Sequence, residues 1–376
     1  MTDGATPQWI RGTTSRQAHA DLPPGTVEEE HGREGFTGRA SHLYRLHAPT
    51  GWRSLTGPLR PHALDSGAVA RRADDLAVTL LENADVRIAA WHLPPAGTEW
   101  FLRDADGDIC YFVHDGTGTL GTEYGPLAYR EGDFLVVPRG TTHRFEPSAE
   151  TQLLCVTALE GGIGLPDRGL LGRHALFDPA ILSVPEPEPH DERGTFEVRV
   201  RRAGATTTLV YPFHPFDVVG WKGDLAPMRL HVDDFRPVSS ARYHVPPSAH
   251  TTFVGAGFVI ATFAPRPFET DPDVLRVPFF HRNIDFDEVI FYHRGQFFSR
   301  VGIGAGMLTF HPAGIHHGPQ PGAVQRAAER GAGGSTDEVA INIDARRPLL
   351  LTEAGAAVSV AGYVDSWREP ETEAPG

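Results

Sequence analysis

Three side chains toward the C-terminal end of this chain could hold a metal ion: His281, Glu288 seven positions later, and His317 beyond a run that reads as strands and turns. Two imidazoles and one carboxylate from separate strands make a facial donor set that leaves coordination positions open. That arrangement suits non-haem Fe(II) and dioxygen chemistry. With no thiolate in the set, ligand softness alone admits Fe(II), Mn(II) or Zn(II). The competing interpretation is a hydrogen-bonded trio in a storage-type barrel without catalysis. Burying three titratable groups costs several kcal/mol per unpaired charge unless a cation is present, which favours the metal. Adjacent strand residues point to opposite faces, so only one of His316 and His317 looks inward. The turn pattern selects His317, and a bulge would substitute His316. Asp287 competes with Glu288, but the spacing to Gly295 favours Glu288. His293, at odd separation from Glu288, faces away.

The elements that must position these groups are short strands. From about Leu76 the chain reads VTLLEN, VRIAAWHL, ICYFVHD, DFLVVPRG and TQLLCVTAL, runs punctuated by Gly, Asp and Asn. The 41 glycines and 32 prolines fall between such runs and favour an all-β architecture. At 376 residues, two domains are the default expectation. An internal repeat supports this. Gly306, Pro312, Gly314 and His317 recur at the same spacing as Gly132, Pro138, Gly140 and His143. The pattern around the repeat, with Asn283 where a second histidine is usual, resembles the cupin family of small jelly-roll barrels. Two copies imply a bicupin: an N-terminal arm over residues 1–60, a barrel without metal over 61–195, and a catalytic barrel over 196–376. The first copy offers only Asp108 near the acidic position, so His143 stands alone as a packed or hydrogen-bonded residue. The segments 326–338 and 368–376 read as a mobile loop and a frayed tail.

A net charge of −14 argues against a nucleic-acid partner. Two cysteines without CxxC spacing indicate neither a disulfide framework nor a thiolate metal site. No 18-residue apolar stretch and no signal-peptide core are present, so no membrane partner is expected and the cytoplasm is the expected compartment.

Four longer strings sharpen the resemblance: GFTGRASHLYRLHAP, TEYGPLAYREGDFLVVPRGTTHRFE, HPFDVVGWKGDLAPMRLHVDDF, and FFHRNIDFDEV with HPAGIHHGP. Together they resemble the homogentisate 1,2-dioxygenase family, bicupin enzymes that cleave an aromatic ring. The resemblance implies Fe(II) held by His281, Glu288 and His317, with O2 and a small aromatic acid as partners. It implies turnover of homogentisate to maleylacetoacetate, or of a close hydroquinone acid, and a trimer or hexamer. His244 matches an acid/base over the ring, with His250 a second candidate. His311 matches a residue near the substrate hydroxyl, and Arg294 is a candidate for the substrate carboxylate. Phe279 and Phe297 stand where the family has pocket tyrosines, which bears on which ring substituent is accepted. A gentisate-like or secondary-metabolite substrate is the alternative within oxygenases. A Zn(II) isomerase or a ligand-binding cupin is the alternative outside them.

Overall fold

A computed structural model describes residues 9–275, 279–297, 300, 302–320 and 334–368. Most of the expected loop at 326–338 and of the expected tail lies outside them. The described part is built from β-strands, with one short α-helix at Glu353–Ala357. Short runs of β-branched and aromatic residues between Gly, Asp and Pro turns make strands, because branched side chains pack well on a pleated surface.

The first barrel is lined by a seven-stranded and a six-stranded sheet. In the seven-stranded sheet, Asp108–Asp115 lies between Asp133–Val137 and Thr151–Ala158, with Val86–Leu93 next. In the six-stranded sheet, Thr142–Pro147 lies between Phe101–Asp104 and Gly118–Thr122. Alternation sends Trp91, Tyr111, Val113, Leu135 and Phe145 into this barrel's own core. The opposite face of the seven-stranded sheet carries Ile88, Cys110, Phe112, Phe134 and Leu154. These join one continuous core with Phe253, Ile260, Val289, Phe291, Leu308 and Ile343 of the second barrel. The two barrels are therefore welded face to face by buried apolar area. Cys110 and Cys155 are buried free thiols.

The second barrel's main sheet runs Thr251–Gly255, Phe258–Phe263, Val339–Ala345, Asp287–Arg294, Met307–His311 and His62–Asp65. A three-stranded sheet, Phe280–Asn283, Val27–Gly32 and Ala40–Arg45, lies against the same site. Chain order and sheet membership part company here. The strand Val27–Gly32 of the arm pairs in parallel with Phe280–Asn283, and His62–Asp65 closes the edge beside Met307–His311. In return, Met228–His231 and Leu350–Leu351 extend the first barrel's sheet. The repeat seen in the sequence is also a repeat of backbone conformation. Gly132 and Gly306 have φ of 87° and 81°, and Gly140 and Gly314 have 83° and 88°. Side-chain-bearing residues rarely adopt those angles, so the spacing of the four glycines fixes the two turns.

Candidate metal centre

His281 ends up beside His317 because two chain segments approach very closely. His281 and His317 exchange backbone hydrogen bonds, N to O at 2.9 and 3.1 Å. The next residue must then pass over the strand Phe280–Asn283. A Cβ on Gly318 would lie 2.9 Å from Phe280 Cα, so only glycine fits after His317. The turn before it is fixed by Gly314, whose N–H donates to Asn283 O at 3.0 Å. Asn283, in the place of a second histidine, shapes the following turn by accepting from Asp285 N at 3.1 Å.

Both imidazoles are locked in one tautomer. His281 Nδ1 lies 3.2 Å from Phe279 O, and His317 Nδ1 lies 3.0 Å from Ile315 O. Carbonyls only accept, so each Nδ1 carries the proton and each Nε2 presents a lone pair. Those two Nε2 atoms are buried without a hydrogen-bond partner. They lie 3.5 and 3.7 Å from Glu288 Oε2, and one ligand atom from each of the three residues falls within 4.8 Å of the others. Two lone pairs thus face a carboxylate oxygen across a gap too long for good hydrogen bonds. A cation makes this arrangement favourable, so the donor set fits a divalent metal.

Glu288 is held from behind. His311 Nδ1 is 2.8 Å from Glu288 Oε1, and His311 Nε2 is 3.0 Å from the Tyr363 hydroxyl. Burial lowers the His311 pKa to about 3, so the ring is neutral. It therefore donates through Nδ1 to Glu288 and accepts at Nε2 from Tyr363. Burial alone would raise the Glu288 pKa. The polar side chains of His317, His281 and His311 around it outweigh burial and hold the carboxyl well below its usual range. Asp344, opposite Glu288 in the sheet register, is pushed up to about 7 by burial and by the Glu288 charge.

His143 in the first barrel is an internal comparison. Its Nδ1 lies 3.0 Å from Thr141 O, the same two-residue step back that anchors His317. Its Nε2, however, lies 2.9 Å from the Tyr111 hydroxyl. The imidazole is 1% exposed and burial lowers its pKa to about 4. It is a satisfied core histidine.

The other expected residues divide. His244 lies 12% exposed with its Nδ1 2.8 Å from Glu269 Oε1, and its ring is 5.9 Å from that of Phe279. Phe279 in turn sits 5.6 Å from His281. A cavity of about 110 Å³ opens nearby between Phe36, Pro247, Ser248, Phe286 and Asp344, and the Phe36 ring is 5.2 Å from His281. His311 is fully buried with both ring nitrogens bonded to protein, so it orients Glu288 and does not reach a substrate. Arg294 sits six residues along its strand from Glu288, about 20 Å away. It pairs with Asp233 in the first barrel, away from the metal residues. Phe297 packs on Tyr292, whose position is about 13 Å along the strand from Glu288. Asp287 is satisfied by the N–H groups of Ala313 and Leu349, both at 2.7 Å. His316 Nε2 is 2.9 Å from Glu29 Oε1, and His293 meets His114 at 3.0 Å between the barrels. His250 Nε2 is tied to Val238 O at 2.9 Å. Glu269, Tyr363 and Asp344 come from segments whose sequence carried no signal for this site. Only strand alternation opposite Glu288 could have flagged Asp344.

Residues 79–232 match the family model described as homogentisate 1,2-dioxygenase N-terminal. A protein of Saccharolobus solfataricus named "Putative dioxygenase SSO1533" is 33% identical over 359 residues, covering 90% of this chain and 92% of its own length. The homogentisate 1,2-dioxygenase of Bradyrhizobium diazoefficiens is 26% identical over 280 residues, 70% of this chain. The matched segment spans 62% of that enzyme's length. Among solved structures, a cupin barrel protein of Leptotrichia buccalis overlaps 76% of this chain and 96% of its own, with a TM-score of 0.34 and 10% identity. With two tandem barrels, a two-histidine, one-glutamate cluster in the second, and these relatives, the chain belongs to the homogentisate 1,2-dioxygenase family of dioxygenase enzymes.

Proposed function

We propose that this protein is an Fe(II)-dependent ring-cleaving dioxygenase acting on homogentisate or a close hydroquinone acid. The observation that carries the proposal is the pair of orphaned Nε2 lone pairs of His281 and His317 facing Glu288 Oε2. These three residues would hold the metal. When bound, Fe(II) supplies open positions for a ring hydroxyl and for O2, and a path for electrons between them.

The chain's own groups do the rest. His244, with Nδ1 bonded to Glu269, is held in the tautomer whose Nε2 can take a proton from a ring hydroxyl and return it. Burial would raise the Glu269 pKa, but the hydrogen bond and charge of His244 outweigh it, so the carboxyl stays ionised and supports an imidazolium. Phe279 and Phe36 flank His281 with apolar rings and keep water from the reacting atoms. His311 fixes the carboxylate so that only Oε2 faces the histidines.

Phe279 relaxes selection at the substrate's ring substituent. It stacks 4.1 Å from His19 and offers no hydroxyl. A site that cannot hydrogen-bond a group does not strongly select for it. The test is oxygen uptake by anaerobically reconstituted Fe(II) protein across homogentisate, gentisate and other hydroxylated aromatic acids, with absorbance of the ring-opened product. Iron loading with uptake on at least one of them is expected. Absence of uptake on every one, or activity that depends on Zn(II) instead, would overturn the proposal.

A further inference from the structure

The strand Val27–Gly32 reads VEEEHG, three acids in succession, and its two faces are handled differently. Glu29 points to one side, where Arg45, Arg282 and His316 surround it. Glu28 and Glu30 point to the other, where among the described residues neither carboxylate pairs with a lysine or arginine. Both are buried, at 2% and 8% exposure. Their neighbours are His19 and His42.

Glu28 organises the two imidazoles. Its Oε2 lies 2.9 Å from both the backbone N and the Nδ1 of His19, and its Oε1 lies 3.1 Å from His42 Nδ1. The carboxylate oxygen accepts, so His19 Nδ1 carries the proton; His42 Nδ1 meets Glu28 Oε1 as a close ion-pair contact without hydrogen-bond geometry, and both Nε2 atoms turn toward Glu30. Glu30 Oε2 lies 3.7 and 3.9 Å from them, beyond hydrogen-bond reach, and no hydrogen bond to its carboxylate is formed among the described residues. One ligand atom each from His19, Glu30 and His42 falls within 4.8 Å of the others. The donor set is that of the first cluster, two imidazoles and a carboxylate around a gap, with a further carboxylate bonded to the His19 ring as in Glu–His–metal arrangements. Neither buried carboxylate meets a lysine or arginine among the described residues, and a divalent cation between them and the rings would balance their charge.

We propose that His19, Glu30 and His42 form a second divalent-cation site, oriented by Glu28, that takes Zn(II) or a similar transition metal and clamps the N-terminal arm to the catalytic barrel. The location explains why a clamp is useful there. Glu30 pairs in register with His281 on the adjacent strand, and the His19 ring stacks at 4.1 Å on Phe279. The arm is also stitched to the segment before Phe279, Asp21 N to Asp273 O at 2.7 Å and Leu275 N to His19 O at 2.8 Å. The cation would therefore fix one wall of the catalytic pocket without belonging to the first cluster.

The experiment counts Zn(II) bound by the full-length chain after chelator stripping, Zn(II) addition and gel filtration. Two equivalents per chain are expected. H281N/H317N, which disables the first cluster, should retain one. E30Q should also retain one, and the four-residue variant H281N/H317N/E30Q/H42Q none. Circular dichroism and thermal melting check that each variant is folded. Two results would overturn the proposal: wild-type protein binding a single equivalent that E30Q leaves in place, or folded H281N/H317N binding none. The second arm needs no substitution in the new site, so misfolding of E30Q does not blunt the test. It also reads no oxygen chemistry, so loss of the dioxygenase proposal would leave it standing.

Discussion

Replacing His311 with phenylalanine separates two roles for that histidine. The substitution keeps an aromatic body between His317, with centroids 4.9 Å apart, and Trp367, at 5.7 Å. It removes the 2.8 Å bond to Glu288 Oε1 and the 3.0 Å bond to Tyr363. A hydrogen bond to a charged group contributes about 1.5–3 kcal/mol. Loss of a residue that orients a metal ligand typically costs roughly 10–100-fold in metal affinity, or about 1.4–2.7 kcal/mol. The two figures agree, so His311→Phe is expected to weaken Fe(II) or Zn(II) binding by one to two decades. Tyr363→Phe leaves the bond to Glu288 intact and removes only the donor behind it. Its effect on metal affinity should be less than about 10-fold, since a neutral hydrogen bond is worth about 1 kcal/mol. The assay is competition for the metal against a chelator of known affinity. KM for the best substrate is read in parallel on fully loaded enzyme. Were His311 a substrate contact, the variant would raise KM and leave metal affinity where it was; that outcome would refute the positioning role.

Three further outcomes follow from the structure. His143 titrates near 6.5 unfolded but is lowered to about 4 in the fold by burial. Its contribution is complete above pH 6.5 and is lost as pH falls toward 4, a swing on the order of 3 kcal/mol, and His143→Phe should flatten that part of a stability-versus-pH curve measured by denaturant unfolding. Phe112, 1% exposed between Phe134, Phe291 and His293, fills the seam between the barrels; Phe112→Ala should cost about 3–5 kcal/mol and shift a single unfolding transition, whereas two separate transitions with only one moved would contradict a shared core. Glu269→Gln should lower kcat by roughly 10²-fold or more and change the pH–rate profile while metal content stays the same, and a fall in bound iron would instead mark Glu269 as structural.

What the sequence made legible was the short-range part. Gly132, Gly140, Gly306 and Gly314 mark the turns of both barrels because positive φ at a fixed spacing leaves few other residues possible. The spacing of His281, Glu288 and His317 was short-range too, since tight turns link the strands Phe280–Asn283 and Asp287–Arg294 and lead from Met307–His311 to His317. The contribution of the arm was not legible. VEEEHG lacks the apolar–polar alternation that signals a strand, because both of its faces are polar and meet side chains from other segments. Glu29 meets Arg282 and His316, and Glu28 meets His19 and His42. Arg294 fails for a related reason. Its sequence neighbourhood is that of the site, but a strand carries it about 20 Å in six residues, to Asp233.

The two barrels then contrast a histidine whose Nε2 is left open to a metal with one closed in the core. His143 and His317 follow the same Gly, Pro and Gly spacing, and each anchors Nδ1 on the carbonyl two residues before it. Backbone and tautomer are therefore shared, and neither separates the two sites. The difference lies in what meets Nε2. At His143 a neutral hydroxyl from Tyr111 donates at 2.9 Å, closing the site without any cation. At His317 the facing group is the Glu288 carboxylate, an acceptor only, with a second lone pair from His281 beside it. A donor satisfies an imidazole lone pair at the cost of one hydrogen bond's geometry, whereas three acceptors in one buried gap need a positive charge. The turn delivers the histidine in both barrels, and the partner on the opposite strand decides whether it can hold a metal.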